Sequence, residues 1–248
     1  DGLGELHLSK TLIIGLASFG LLCLVGYWLY ASKAKAPLFS PALFKIRNFR
    51  VGIAGNLFAR LGNGAMPFLT PLLLQVGLGY NPVQAGLTML PITLGSIIAK
   101  GFVDKLIKFT GYRIFLFVNT VLLGFVIAAF AFITPATPFA WILCIFLVSG
   151  MINSMQFTSM NSLTLLDLPD ERAGSGNSLL SIIMQLSMSM GIAFAAAILG
   201  LSTAAGDAVV RGFQKTYIIM GILCVVSSFI FLFVKNSKGY TVETAGNS

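Results

Sequence analysis

Between Arg50 and Lys100 the chain carries one charged residue, Arg60. A run with so little charge cannot keep itself in water, so it settles the solvent before it settles the fold. Of all 248 residues, 10% are charged and 56% hydrophobic, whereas a soluble domain carries roughly a quarter charged residues. Several apolar runs exceed the roughly 18 residues that mark a spanning helix. The expected fold is therefore all-α, a polytopic membrane protein with seven transmembrane helices. The spans are expected near residues 12–30, 51–75, 84–103, 114–133, 139–163, 176–201 and 217–234, numbered first to seventh.

The net charge is +8, but the cations fall in the segments between apolar runs and no aromatic-rich basic patch accompanies them. That pattern argues for topology and against nucleic acid. Twelve of the Lys and Arg residues, from Lys33 to Lys238, lie in one alternating set of connecting segments, and Lys10, Arg211 and Lys215 lie in the other. The positive-inside rule places the richer set in the cytoplasm, with the N-terminus of these residues outside and the C-terminus inside. Cys23, Cys144 and Cys224 sit singly in apolar runs and read as buried thiols, with no metal site. His7 is the one histidine and falls in a polar segment. No phosphate-binding loop, zinc motif or Ser/His/Asp set is present, and the chain is not expected to be an enzyme or to hold a cofactor. It starts at Asp1 without a signal-peptide pattern and reads as part of something longer.

Polarity separates the spans. The fourth and seventh are apolar nearly all round, as expected of outer helices facing lipid. The second, fifth and sixth carry Asn56, Asn63, Asn153, Gln156, Asn161, Asn177 and Gln185, and polar side chains in hydrocarbon point to a bundle interior or a wet cavity. In the sixth span Ser187, Gly191 and Ala195, then Ala196 and Gly200, allow close helix approach. Pro67 and Pro71 in the second span, and Pro91 in the third, are candidate kinks.

Asn56, Arg60, Asn63 and Pro67 follow at intervals of four, three and four, one stripe on a helix. At ~1.5 Å per residue Arg60 lies roughly 15 Å into the second span, and a cation there costs about 2.5–3.5 kcal/mol. Two accounts stand open. Arg60 snorkels or bonds a neighbouring carbonyl, or it lines a central cavity and meets an anion or carboxylate. No Asp or Glu lies inside any expected span, so a proton-coupling acid would lie outside these residues. Eight of the nine methionines fall in the second, third, fifth and sixth spans, either as core filling or as an adaptable ligand surface.

The segment GFVDKLIKFTGYR contains Gly101, Asp104, Gly111 and Arg113. It resembles the second copy of the cytoplasmic G-x-x-x-D…G-x-R loop of the major facilitator superfamily, with irregular spacing from Lys105 to Thr110. PLFSPALFKIRNF resembles the linker into the second repeat of that superfamily's fourteen-helix drug:proton antiporter branch. PFLTPLLLQVGLGYNPVQAGLTMLP and DLPDERAGSGNSLLSIIMQLSMSMG resemble multidrug-exporting members closely. The resemblance runs almost end to end. It implies a segment and extra helix over 1–36, a cytoplasmic linker over 37–50, the C-terminal six-helix bundle over 51–235 and a cytoplasmic tail over 236–248.

The resemblance further implies a bacterial inner-membrane transporter whose two six-helix repeats rock around a midplane site. A missing N-terminal repeat would complete it and carry the proton-coupling acid. The second, third, fifth and sixth spans would then line the cavity, three of them already chosen by polarity. The candidate substrate-cavity residues are Asn56, Arg60, Asn63, Asn153, Gln156 and Gln185; the candidate gate-loop residues are Gly101, Asp104, Gly111 and Arg113. The expected function is the C-terminal half of a proton-coupled exporter of drugs or other amphipathic small molecules, working in the lipid bilayer. Alternatives are an exporter of organic anions, citrate-like carboxylates or their metal chelates, and a non-transporting membrane scaffold or truncated remnant.

Overall fold

In hydrocarbon each backbone amide must find its partner within the protein, which leaves helices as the element for apolar runs of this length. The computed structural model describes residues 41–204 and 208–234, with positions 15, 18–20, 22–23, 25–26 and 29 of the expected first span, all helical. The rest of that span and the tail 236–248 lie outside the described residues. The chain divides into two compact units, Asp1–Leu43 and Phe44–Ser248, and the second contains everything that follows.

Its helices are α1 (Arg47–Asn63), α2 (Met66–Leu72), α3 (Pro82–Lys100), α4 (Val103–Ala129), α5 (Phe139–Leu165), α6 (Asp170–Ala204) and α7 (Val209–Ser227); the described residues contain no strand. Among the described residues, five stretches are long and apolar enough to cross a membrane: Pro82–Lys100, Val103–Phe132, Phe139–Leu165, Glu171–Ser202 and Val209–Phe233. The expected third to seventh spans are therefore continuous helices.

The expected second span is instead broken into α1 and α2. Gly64 and Ala65 form a turn in which the Gly64 N–H donates to the Arg60 carbonyl at 2.6 Å. Pro67 then occupies the first turn of α2, where its missing N–H is tolerated. Pro71, inside α2, precedes a widened turn over Leu73–Gly77 in which Leu78 N–H reaches the Leu73 carbonyl at 2.9 Å. Pro91, by contrast, sits within an unbroken α3. That helix starts at a capping box, with Gln84 N–H donating to Asn81 Oδ1 at 2.8 Å and Asn81 N–H to Gln84 Oε1 at 3.1 Å.

The stretch from Gly101 to Arg113, expected as a loop, is mostly helical. It is the first part of α4, which turns at Gly111 (φ 75°, ψ 156°) before the spanning part begins. That φ is strained for any residue with a Cβ and open to glycine.

Three helix pairs build the bundle: α3 with α5, α4 with α7, and α1 with α6. Each meets where glycine removes a Cβ. A Cβ on Gly150 of α5 would overlap the Ile92 carbonyl oxygen of α3, and one on Gly95 would overlap that of Leu147. Gly124 and Gly221 face each other across α4 and α7, each backbone oxygen 2.7 Å from where the other's Cβ would stand. Gly191 of α6 lies against the Leu61 carbonyl of α1. Its small neighbours Ser187 and Ala195 are buried as expected, whereas Ala196 and Gly200 are exposed.

The two most apolar spans differ from expectation. In the most apolar stretch of each span, 50% of α4 and 44% of α7 are buried, against 17% for α6. Each keeps one exposed stripe, such as Val118, Leu122 and Phe125 of α4, and packs the rest against protein. Composition misses this because a protein interior and a lipid tail accept the same side chains. Near one end of the bundle Phe130 stacks between Phe146 and Tyr217, with centroids at 5.2 and 5.4 Å. A second cluster, including Val51, Ile107, Leu163 and Phe231, fills the end where the basic residues gather.

Replacing Gly150 by Leu is expected to destabilise the bundle by about 1–3 kcal/mol or prevent folding. Gly86→Leu, where a Cβ meets open space, is the matched control. Thermal unfolding in detergent reads the difference, and equal melting of both variants would contradict the crossing.

Candidate substrate site

The break after α1 sets the surroundings of Arg60. Because α1 ends at Asn63, Arg60 stands in its last turn, where the exposed carbonyls of a helix C-terminus favour a cation. Its Nε donates to Asn56 Oδ1 at 3.0 Å, one turn back. Its guanidinium carbon lies 4.7 Å from the centroid of the Phe157 ring on α5, within cation–π range. Among the described residues no carboxylate pairs with Arg60, and the Nε bond is the one hydrogen bond of its side chain. The two terminal nitrogens thus keep their donors for a ligand.

Asn56 is fully buried. Its Nδ2 donates to the Gly52 carbonyl at 3.0 Å and to Thr164 Oγ1 of α5 at 3.3 Å, which leaves Oδ1 to orient the arginine. Nearly one turn beyond Arg60, Asn63 Nδ2 donates to Asn153 Oδ1 of α5 at 2.6 Å. Arg60, Asn63, Asn153, Gln156, Phe157 and Met160 line one crevice between α1 and α5, backed by Ala59 and Leu123.

Behind the crevice Gln156 is buried and fully engaged. Its Nε2 donates to Thr120 Oγ1 at 2.7 Å and contacts Met160 Sδ at 2.8 Å, and its Oε1 accepts from Asn119 Nδ2 at 2.7 Å. Asn119 also donates to the Ile152 carbonyl at 3.1 Å. This network ties α5 to α4. The crevice therefore has an open polar wall, carried by Arg60, Asn63 and Asn153, on a rigid inner layer.

The structure thus brings together five of the six expected cavity residues: Asn56, Arg60, Asn63, Asn153 and Gln156. Gln185 does not join them; it is exposed on α6, away from the crevice lining. Sequence reasoning missed Asn119, Thr120 and Phe157. Asn119 had a signal, as a lone amide in an otherwise apolar span, whereas Phe157 had none among so many phenylalanines. Of the expected gate residues, Gly101 caps the end of α3, and Asp104 stands in the first turn of α4. Gly111 forms the turn, and Arg113 is exposed beyond it. No ion pair joins Asp104 to Arg113 among the described residues.

Comparison with known proteins gives a family match and close relatives. Residues 7–192 match the profile of the Major Facilitator Superfamily. The chain is 42% identical over 250 aligned positions to proteins named multidrug resistance protein MdtD from Escherichia coli O139:H28, Escherichia coli K12 and Shigella boydii serotype 18. The alignment takes in 98% of this chain and 52% of each relative, so the chain spans about half the length of the curated relatives it matches.

Truncating Gln156 to Leu would strand Asn119 and Thr120 in an apolar layer and is expected to destabilise the fold by about 1–3 kcal/mol. The double change Asn119→Leu with Gln156→Leu removes both partners of one bond and is expected to cost less than the two single changes added together. A double-mutant cycle on unfolding free energy in detergent measures the coupling; strict additivity would argue against the network.

Proposed function

This chain belongs to the Major Facilitator Superfamily, a family of membrane transporters and not of enzymes, and we propose that it supplies the C-terminal, substrate-binding half of a proton-coupled exporter of amphipathic small molecules. On this reading the other half of the transporter is an N-terminal six-helix repeat, and the two rock about a site between them. The observation that carries the reading is the Arg60 crevice: a cation with unused donors, amides on either side, an aromatic face and a methionine, held at the break of an inner helix. Such a mixed wall suits a molecule with both a polar and an apolar part. The names of the relatives support a drug-like cargo. The acids in the described spans, Asp104 and Glu171, stand at the ends of their helices and none lies in the apolar middle, so on this reading the proton-coupling acid belongs to the N-terminal repeat. The basic end of the bundle is the cytoplasmic one in the bacterial inner membrane, by the same Lys and Arg bias.

A second reading, export of organic anions, is favoured by one detail. The free terminal nitrogens of Arg60 form a fork of the geometry that grips a carboxylate. Such a contact is worth about 1.5–3 kcal/mol, or roughly ten- to a hundredfold in affinity.

Efflux assays on the full-length parent separate the two. Arg60→Ala is expected to reduce export of carboxylate-bearing substrates by about ten- to a hundredfold and of neutral amphipathic dyes far less. Unchanged export of every substrate would remove Arg60 from the site. An uncoupler that collapses the proton gradient is expected to stop export of both classes, and continued efflux would refute proton coupling.

A further inference from the structure

The first part of α4, residues 103–110, presents three distinct faces. At 100° per residue, Val103 and Ile107 share one side. Both are buried and join the cluster formed by Val51, Leu163 and Phe231. Asp104 and Lys108 share a second side and are exposed. Phe102, just before the helix, shares a third side with Leu106 and Phe109, and all three are exposed, Phe109 at 91%. Lys105 stands on the border between the second and third sides. An aromatic ring so fully uncovered is unfavourable in water.

The surrounding charge says what covers it. Lys100, Lys105, Lys108 and Arg113 are all exposed about this segment, with Asp104 as the one acid. The apolar side is also continuous with the outer surface of the bundle, through exposed Ile97 and Ile98 of α3 and Ile114 of α4. A helix with one apolar side, one charged side and cations along the border lies in the plane of a bilayer surface. Cations at that depth attract anionic headgroups. The turn at Gly111 lets the segment depart from the axis of the spanning part.

We propose that residues 102–110 form an interfacial anchor, with Phe102, Leu106 and Phe109 inserted below the headgroups and Lys105 and Lys108 holding anionic phospholipid. The anchor is independent of the transport reading; it requires only that α3 and α4 cross a bilayer. It also assigns this segment an occupant on its outer side.

The test places a fluorescent reporter in the full chain, Phe109→Trp with Trp28→Phe and Trp141→Phe, reconstituted in phosphatidylcholine vesicles with or without phosphatidylglycerol. Lipids brominated near the headgroup are expected to quench the reporter more strongly than aqueous acrylamide. Brominated phosphatidylglycerol is expected to quench at lower mole fraction than brominated phosphatidylcholine. That preference should fall about fivefold for each lysine removed in Lys105→Gln and in Lys105→Gln with Lys108→Gln. Raised salt makes the same comparison without substitution, since screening weakens the headgroup attraction. Quenching by acrylamide as strong as for free tryptophan would overturn the insertion. Equal quenching by the two brominated lipids would overturn the anionic selectivity.

Discussion

The bundle depends on backbone meeting backbone. Lipid tails are as apolar as leucine, so burial gives membrane helices little reason to associate, and close packing carries the load. Here three pairs, α3/α5, α4/α7 and α1/α6, cross at glycines where a Cβ would overlap or crowd the facing chain. The absent side chains bring long stretches of neighbouring helix into van der Waals contact, each atom pair contributing little and the sum a great deal. These crossings set which helix faces which. A further close approach, Gly52 of α1 against Thr164 of α5, sets the Phe157 side of α5 against the Asn56 and Arg60 side of α1.

Arg60 is accommodated by several modest contributions. The insertion cost is about 2.5–3.5 kcal/mol. A hydrogen bond from a charged group is worth about 1.5–3 kcal/mol, a cation–π contact about 0.5–2 kcal/mol, and a place in the last turn of a helix about 0.3–1 kcal/mol. Together they match the cost without a counter-ion. The last of these exists because Gly64 and Pro67 end α1 one turn after the arginine. One sequence feature, a glycine and proline just past a cation, therefore both stops the helix and makes the cation tolerable there.

Much of this was legible in advance, and the misses have physical causes. The stripe of Asn56, Arg60 and Asn63 was readable because helical period alone puts them on one side. Asn153 and Gln156 were readable as amides in hydrocarbon, which need partners. Gln185 obeys the same rule of composition yet sits outside the crevice, because polarity does not say which way a helix is turned. The turn at Gly111 was hidden because glycine also serves packing in this chain, and the residues around it alternate charge and apolar surface in a way that fits either a loop or an interfacial helix. The burial of α4 and α7 was hidden because their apolar side chains suit protein and lipid equally.

The sequence by itself determined the solvent, the helical class, most of the span positions and the polar character of α1 and α5. These follow from length, charge and period, which are properties of one segment at a time. Tertiary structure alone decided that Phe157 rather than a carboxylate faces the guanidinium, and that Asn119 locks Gln156 from behind. Each of those depends on the rotation and crossing of two helices distant in the chain, and no single segment carries that information.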